Sequence, residues 1–203
     1  MPLFKIMTPE RKARITQVLN YRQPDIAVIL ENVHDPHNIS AVMRTADSVG
    51  VQDVFILNTK IPRHKKFGKK SSASAAGWLS VHHFDDAEKC FDVLKKRYEN
   101  IFATHLSSEA QSLYDLNLVD SCALVFGNEH SGVSEEALKY CTGNFIVPQV
   151  GMVQSLNISV ACAVSLYEAF RQRNLAGKYL HSKLPETRRA ELCEKWGLPA
   201  ENE

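Results

Sequence analysis

Two apolar runs constrain this chain more than anything else in it: Ile26–Leu30, IAVIL, and Cys122–Phe126, CALVF. Neither alternates with polar residues. A strand with one face in water alternates, so an unbroken run predicts a strand covered on both faces, as in a parallel sheet between helices. Val54–Leu57 adds a further strand, with shorter ones at Leu79–Phe84, Ile101–Thr104 and from Phe145 onward. Between the first two, Ile39, Val42, Met43, Ala46 and Val49 recur at helical spacing, and Gly50 is the expected C-cap. Asp85–Tyr98 reads as another helix, with Ala87, Phe91 and Leu94 on one side. Strand and helix therefore alternate, which predicts an α/β protein with a mainly parallel sheet.

Residues 8–20 add a helix before the first strand. Thr8 is its expected cap, Pro9 fits its first position and Glu10 its first turn. Pro185–Trp196 forms a last helix. The 203 residues suffice for one core. The net charge of +1 points to no partner by itself. Its distribution does: Lys60–Lys70 holds six Lys or Arg among eleven residues and no acid. A solvated loop and a polyanion contact are both open readings. Five scattered cysteines without metal-ligand spacing suggest buried thiols in a reducing compartment, and no run is long enough to span a bilayer. A cytoplasmic protein with no membrane contact is expected.

Three polar clusters follow predicted strands: Glu31–Arg44, Gly127–Glu136 and Gln149–Asn157. Ligands in a parallel α/β sheet collect beyond the carboxyl ends of the strands, so convergence of these clusters predicts the site. Arg44 is either a surface arginine or a guanidinium aimed at the strand ends. Asn38 is either an N-cap or a partner of Arg44. Glu129 is either a loop residue or the group that holds one of these in place. Ser155 and Asn157 can each cap the long helix that ends near Arg171. Ser134 is expected to cap a short helix. His34, His37 and His130 lack convincing zinc partners, so no metal is expected. A P-loop, a GxGxxG turn and a GxSxG elbow are all missing, which weakens NTPase, dinucleotide and serine-hydrolase readings.

Three stretches, ENVHDPHNISAVMRTADSVGV from Glu31, LVFGNEHSGVSEE from Leu124 and IVPQVGMVQSLNISVACAVSLYE from Ile146, closely resemble the SpoU class of RNA ribose 2′-O-methyltransferases, within the SPOUT superfamily. The match spans roughly residues 25–172. Residues 1–24 and 173–203 then stand as short helical extensions. Many members carry a glycine just before the asparagine of the first stretch; here His37 and Ser40 stand in the glycine-rich places. The wording resembles most the subgroup that methylates guanosine 18 in the D-loop of tRNA. Ribosomal RNA, the tRNA wobble ribose and a catalytically silent RNA-binding role are the alternatives.

The resemblance implies a deep C-terminal trefoil knot, although general rules of chain connection disfavour knots. It also implies a homodimer and S-adenosyl-L-methionine as cofactor. The adenine is expected on backbone groups at Leu106, Ser107, Gly127, Ile146, Val153 and Leu156. Arg44 is expected to serve the reacting 2′-hydroxyl, with Asn38, Glu129, Ser155 and Asn157 around it and Ser155 positioning Arg44. Gly151 is expected to allow close approach of backbone, ligand and partner subunit. The tRNA is expected on Lys60, Arg63, Lys65, Lys66, Lys69 and Lys70, then on Arg11, Lys12 and Arg14 of the first helix, and on Arg171, Arg173, Lys178, Arg188 and Arg189 near the end.

Overall fold

The computed structural model describes residues 7–64 and 75–198. Lys65, Lys66, Lys69 and Lys70 lie outside the described residues. The chain runs through α1 (Pro9–Tyr21), β1 (Gln23–Glu31), α2 (Pro36–Ser48), β2 (Val51–Leu57), α3 (Ala75–Trp78), β3 (Ser80–Phe84), α4 (Ala87–Arg97) and β4 (Asn100–Thr104). It continues through β5 (Gln111–Ser112), a 3-10 turn (Leu113–Asp115), β6 (Cys122–Phe126), α5 (Glu135–Leu138), β7 (Gly143–Ile146), α6 (Ile158–Leu175) and α7 (Glu186–Trp196).

The sheet order is β3-β2-β1-β6-β4-β7-β5, and every pair is parallel. The unbroken apolar runs have their explanation here. Val28 and Leu30 of β1 point into a core shared with α2 and α6. Ala27 and Ile29 point into a second core, where Phe91 and Leu94 of α4 pack. Both faces are dry, so neither set of alternate residues is polar. α2 and α6 pack against one another on the first face.

The end segments meet. Ile15 and Leu19 of α1 join Leu192 and Trp196 of α7 in a third cluster, with Trp78 against it. Residue 24 lies in β1 and residue 173 in α6. Two caps follow the sequence reading: Thr8 accepts the N–H of Arg11 and Ser134 that of Ala137. At the end of α2 the C-cap is Val49 rather than Gly50, which follows it at φ 84°. No helix of the described residues is long and apolar enough to cross a membrane.

Candidate active site

Asp35, not Asn38, is the N-cap of α2: its carboxylate accepts the N–H of His37 at 2.8 Å. Asn38 sits in the first helical turn with its side chain released from capping. That side chain joins two remote segments. Its Nδ2 donates to Glu129 Oε1 at 2.9 Å, and its Oδ1 accepts from Asn157 Nδ2 at 3.2 Å. Asn157 does cap its helix, as Oδ1 accepts from the Ser159 N–H at 2.9 Å and from its hydroxyl at 2.6 Å. Capping by Oδ1 leaves Nδ2 to donate toward Asn38. One residue from each polar cluster thus enters a single line, Asn157 to Asn38 to Glu129, at the N-terminus of α6.

Glu129 is placed by a tight loop. Asn128 and Gly132 exchange backbone hydrogen bonds at 3.0 and 2.9 Å, and Asn128 Oδ1 accepts the N–H groups of His130 and Ser131. Gly127 makes this closure possible. A Cβ there would lie 2.0 Å from the Gly132 carbonyl carbon, which no side chain tolerates. Close approach is therefore required at Gly127. At Gly151 a Cβ would meet nothing within 4 Å among the described residues.

Arg44 is exposed, and its side chain forms no hydrogen bond or ion pair with the described residues. Six residues along a helix place it about 120° around the axis from Asn38. No hydrogen bond joins it to Asn38, Glu129 or Ser155, and Ser155 is likewise exposed and unbonded. Within one chain the expected pairing of Arg44 with Asn38 or Ser155 is not formed. The asparagine–glutamate line and the guanidinium are separate pieces.

Residues 148–156 have an unusual character. None makes a hydrogen bond with another described residue. Val150, Met152 and Val153 are exposed, the first two almost fully. Leu106, in the loop after β4, is 80% exposed. Ser107 is anchored, its hydroxyl accepting from Asn144 Nδ2 at 2.7 Å. Unpaired backbone donors and acceptors beside uncovered apolar side chains suit an aromatic base, which needs both a stacking face and edge partners. Leu106, Val153 and Leu156 offer such features, whereas the Ser107 carbonyl accepts the Ala110 N–H and Ile146 pairs with Ser112 of β5.

The basic residues sort into two sets. Arg173 is a correction: it is fully buried, ion-paired to Asp25, and donates to the carbonyls of Leu118 and Val119 at 3.1 and 3.2 Å. It closes the C-terminal half of α6 onto the sheet and has no surface to offer RNA. Arg188 is half-buried and bridges Asp53 at 3.3 Å and Ser80 at 2.8 Å, fastening α7 to β2 and β3. Lys178 pairs with Asp25 at 3.2 Å, Arg171 is held twice by Glu168, and Arg189 reaches Asn20. Arg11, Lys12, Arg14, Lys60 and Arg63 are exposed and make no ion pair among the described residues.

Asp53 anchors a charge network that sequence reading missed. It is 1% exposed and faces His82 at 2.7 Å, Arg97 at 2.8 Å and Arg188. Burial alone pushes its carboxyl up. The hydrogen bond from His82 and the charge of Arg97 outweigh burial and hold it below the ordinary aspartate range. Buried Arg22 was also missed; it binds Asp47 at 2.6 Å and the carbonyls of Val51 and Trp78. An aspartate next to Gln52 at the start of a buried strand was the available signal for the first network.

Comparison with known proteins places these features. The family model of the SpoU rRNA Methylase family matches residues 25–167. The tRNA (guanosine(18)-2′-O)-methyltransferase of Thermus thermophilus is 40% identical over 191 residues, covering 93% of this chain and 96% of the relative. Among solved structures, the A. aeolicus TrmH/SpoU tRNA modifying enzyme superposes with a TM-score of 0.84 at 33% identity, over 92% of this chain and 94% of that one. The SpoU methyltransferase AviRb from Streptomyces viridochromogenes, in complex with the cofactor AdoMet, shares the fold at a TM-score of 0.67 and 22% identity, over 77% and 62% of the two chains. The match includes every segment that builds the Asn157–Asn38–Glu129 line, and the chain belongs to the SpoU rRNA methylase family.

Proposed function

We propose that this protein transfers a methyl group from S-adenosyl-L-methionine to the ribose 2′-hydroxyl of guanosine 18 in tRNA. The observation that carries the reading is the hydrogen-bonded line Asn157–Asn38–Glu129, which unites three separate sequence stretches beside an uncommitted Arg44. Near-full-length similarity to a relative named for that reaction supports the choice of tRNA over ribosomal RNA.

The cofactor supplies an electrophilic methyl on a sulfonium. Leu106, Ser107, Ile146, Val153 and Leu156 would hold its base, with the unpaired backbone of residues 148–156 and the exposed side chains of Leu106 and Val153 to meet it. A ribose hydroxyl is a poor nucleophile, so the protein must orient it and stabilise the charge that grows on its oxygen. Asn38 has a fixed side chain to orient a hydroxyl, with Glu129 and Asn157 keeping the amide from turning. The positive end of the α6 dipole lies at the same place. Arg44 supplies a full positive charge for the developing oxyanion or the neighbouring phosphate. An arginine stays protonated in ordinary surroundings, so its role is electrostatic.

The separation of Arg44 from Asn38 within one chain supports a homodimeric site, with Arg44 of one subunit serving the other. Exposed Val160 and Tyr167 on α6, together with Val150 and Met152, offer the apolar surface that such an interface needs. We read the chain after β7 as threaded through the loop that follows β6, forming the trefoil knot. The pairing of β7 beside β4 and the return of α6 onto α2 support that path. Arg11, Lys12, Arg14, Lys60 and Arg63 would meet tRNA phosphates, with Lys65, Lys66, Lys69 and Lys70 as further candidates. Free cysteines support a cytoplasmic setting.

The test is transfer of a radiolabelled methyl to unmodified tRNA. A transcript with 2′-deoxyguanosine at position 18 should accept none. Labelling that persists on that transcript would exclude the 2′-hydroxyl of that nucleotide as the acceptor.

A further inference from the structure

A cleft of about 330 Å³ opens where the loops after β1, β2 and β6 meet. It lies beside β1, where the order of strand addition reverses. β2 and β3 follow β1 on one side, whereas β6 and β4 lie on the other. Such a reversal leaves a crevice beyond the strand ends.

Asn32 shapes this crevice. It adopts φ 50°, a left-handed conformation unusual for a residue other than glycine. Its N–H donates to the Leu57 carbonyl, and its Oδ1 accepts the Lys60 N–H at 2.8 Å. Its Nδ2 donates to Thr59 Oγ1 at 3.1 Å, and its carbonyl accepts from Asn128 Nδ2 at 2.8 Å. One buried residue thus fixes three loops.

The chemistry of the lining is asymmetric. Lys60 contributes an ammonium with no ion-pair partner among the described residues. His34 contributes a second donor. Asn128 Oδ1 already accepts two backbone N–H groups, so its Nδ2 is the donor toward His34 Nδ1, 3.3 Å away. Accepting at Nδ1 places the proton of His34 on Nε2. Ile61 adds an apolar wall. Glu31 adds a buried carboxylate whose oxygens hold the N–H and hydroxyl of Ser134 at 2.8 and 2.5 Å, with lone pairs to spare. A phosphate would be repelled by that carboxylate. A neutral planar ligand with acceptors on one edge and donors on another meets complementary groups. Guanine has this pattern: N7 and O6 accept, and the amine at N2 donates, whereas adenine places a donor where guanine has O6.

The cleft also adjoins the reacting site. His130 lines it and directly follows Glu129, the hydrogen-bond acceptor of Asn38. We propose that this cleft holds the guanine base of the nucleotide whose ribose is methylated, with Lys60 and His34 donating to N7 and O6. The assignment rests on the reading of the reaction given above, and it moves Lys60 from a phosphate contact to a base contact.

The experiment measures kcat/KM for methyl transfer to tRNA carrying guanosine, adenosine, 7-deazaguanosine or 2-aminopurine riboside at the target. These substrates are given to the wild type, Lys60→Met and His34→Phe. Removing N7 or O6 should cost the wild type about tenfold, as a lost base-edge contact does. Each variant should lose a similar factor on guanosine and become insensitive to one of the two analogues. Full multiplication of variant and analogue losses, or variants as active as the wild type, overturns the assignment. A wild type that methylates adenosine at the target as fast as guanosine overturns the base cleft and leaves the reaction standing. A wild type that methylates no tRNA ribose removes both.

Discussion

Arg44 and Arg173 are both arginines on long helices, and their surroundings give them opposite parts. The Arg44 side chain has no partner among the described residues, so its removal leaves no buried charge behind. Arg44→Ala should reduce methyl transfer by at least about a hundredfold, the scale of losing a group that stabilises a developing oxyanion. Its melting temperature and tRNA affinity should stay near wild type; turnover close to wild type would disprove the role. Asp53 belongs to stability instead. Its carboxyl is held below the ordinary value, so its contribution is complete above about pH 4 and fades as pH falls through the folded-state value. The gap in urea midpoint between wild type and Asp53→Asn should therefore be widest at neutral pH and narrow below about pH 4. At this scale the sequence was legible where a residue type has one common use, as in the caps Thr8 and Ser134. It was not legible at Arg173, Arg22 and Asp53, because burial of a charge depends on a partner remote in sequence. Asn38 lay between. Its cluster was expected, but only the observed cap at Asp35 shows that its side chain is free for Glu129 and Asn157.

Elements were more legible than residues. Unbroken apolar runs marked β1 and β6 because both faces of those strands are dry, and helical spacing marked α2 and α4 because each buries one side. β5 was missed: two residues carry no period, and Gln111 and Ser112 are strand only through pairing with β7. The loop between β6 and α5 is the element on which the site depends most directly. Gly127→Ala should force the Gly132–Val133 backbone aside, displace Glu129 and lower methyl transfer more than tenfold, with a modest loss of stability. A variant as active as wild type would show that the loop's closure does not position Glu129. The approach of Gly132 to Gly127 is a tertiary contact with no local pattern, which is why sequence reading did not find it.

For the whole molecule, the alternation of strand and helix sufficed for the α/β class, while the proposed knot and dimer were suggested only by family resemblance. No local pattern encodes threading or a partner. The apolar residues left exposed on α6 give the dimer its test. Val160 and Tyr167 lie seven residues apart, on one helical face. Val160→Asp combined with Tyr167→Asp should shift sedimentation from dimer to monomer and abolish methyl transfer together. A fully active monomer would show that one chain builds the site alone.

The pairing of β1 with β6 has a consequence in time. Ile26 is registered against Cys122, so the middle of the sheet waits for a strand made much later. At synthesis rates of about 5–20 residues per second, β1 precedes its neighbour from the ribosome by roughly 5–20 s. Through that interval an apolar strand has an open edge, the kind of surface that recruits other chains. The nascent protein should therefore be most prone to aggregate after β1 and β2 emerge and before β6 does, and chains truncated within that window should be less soluble than the complete one.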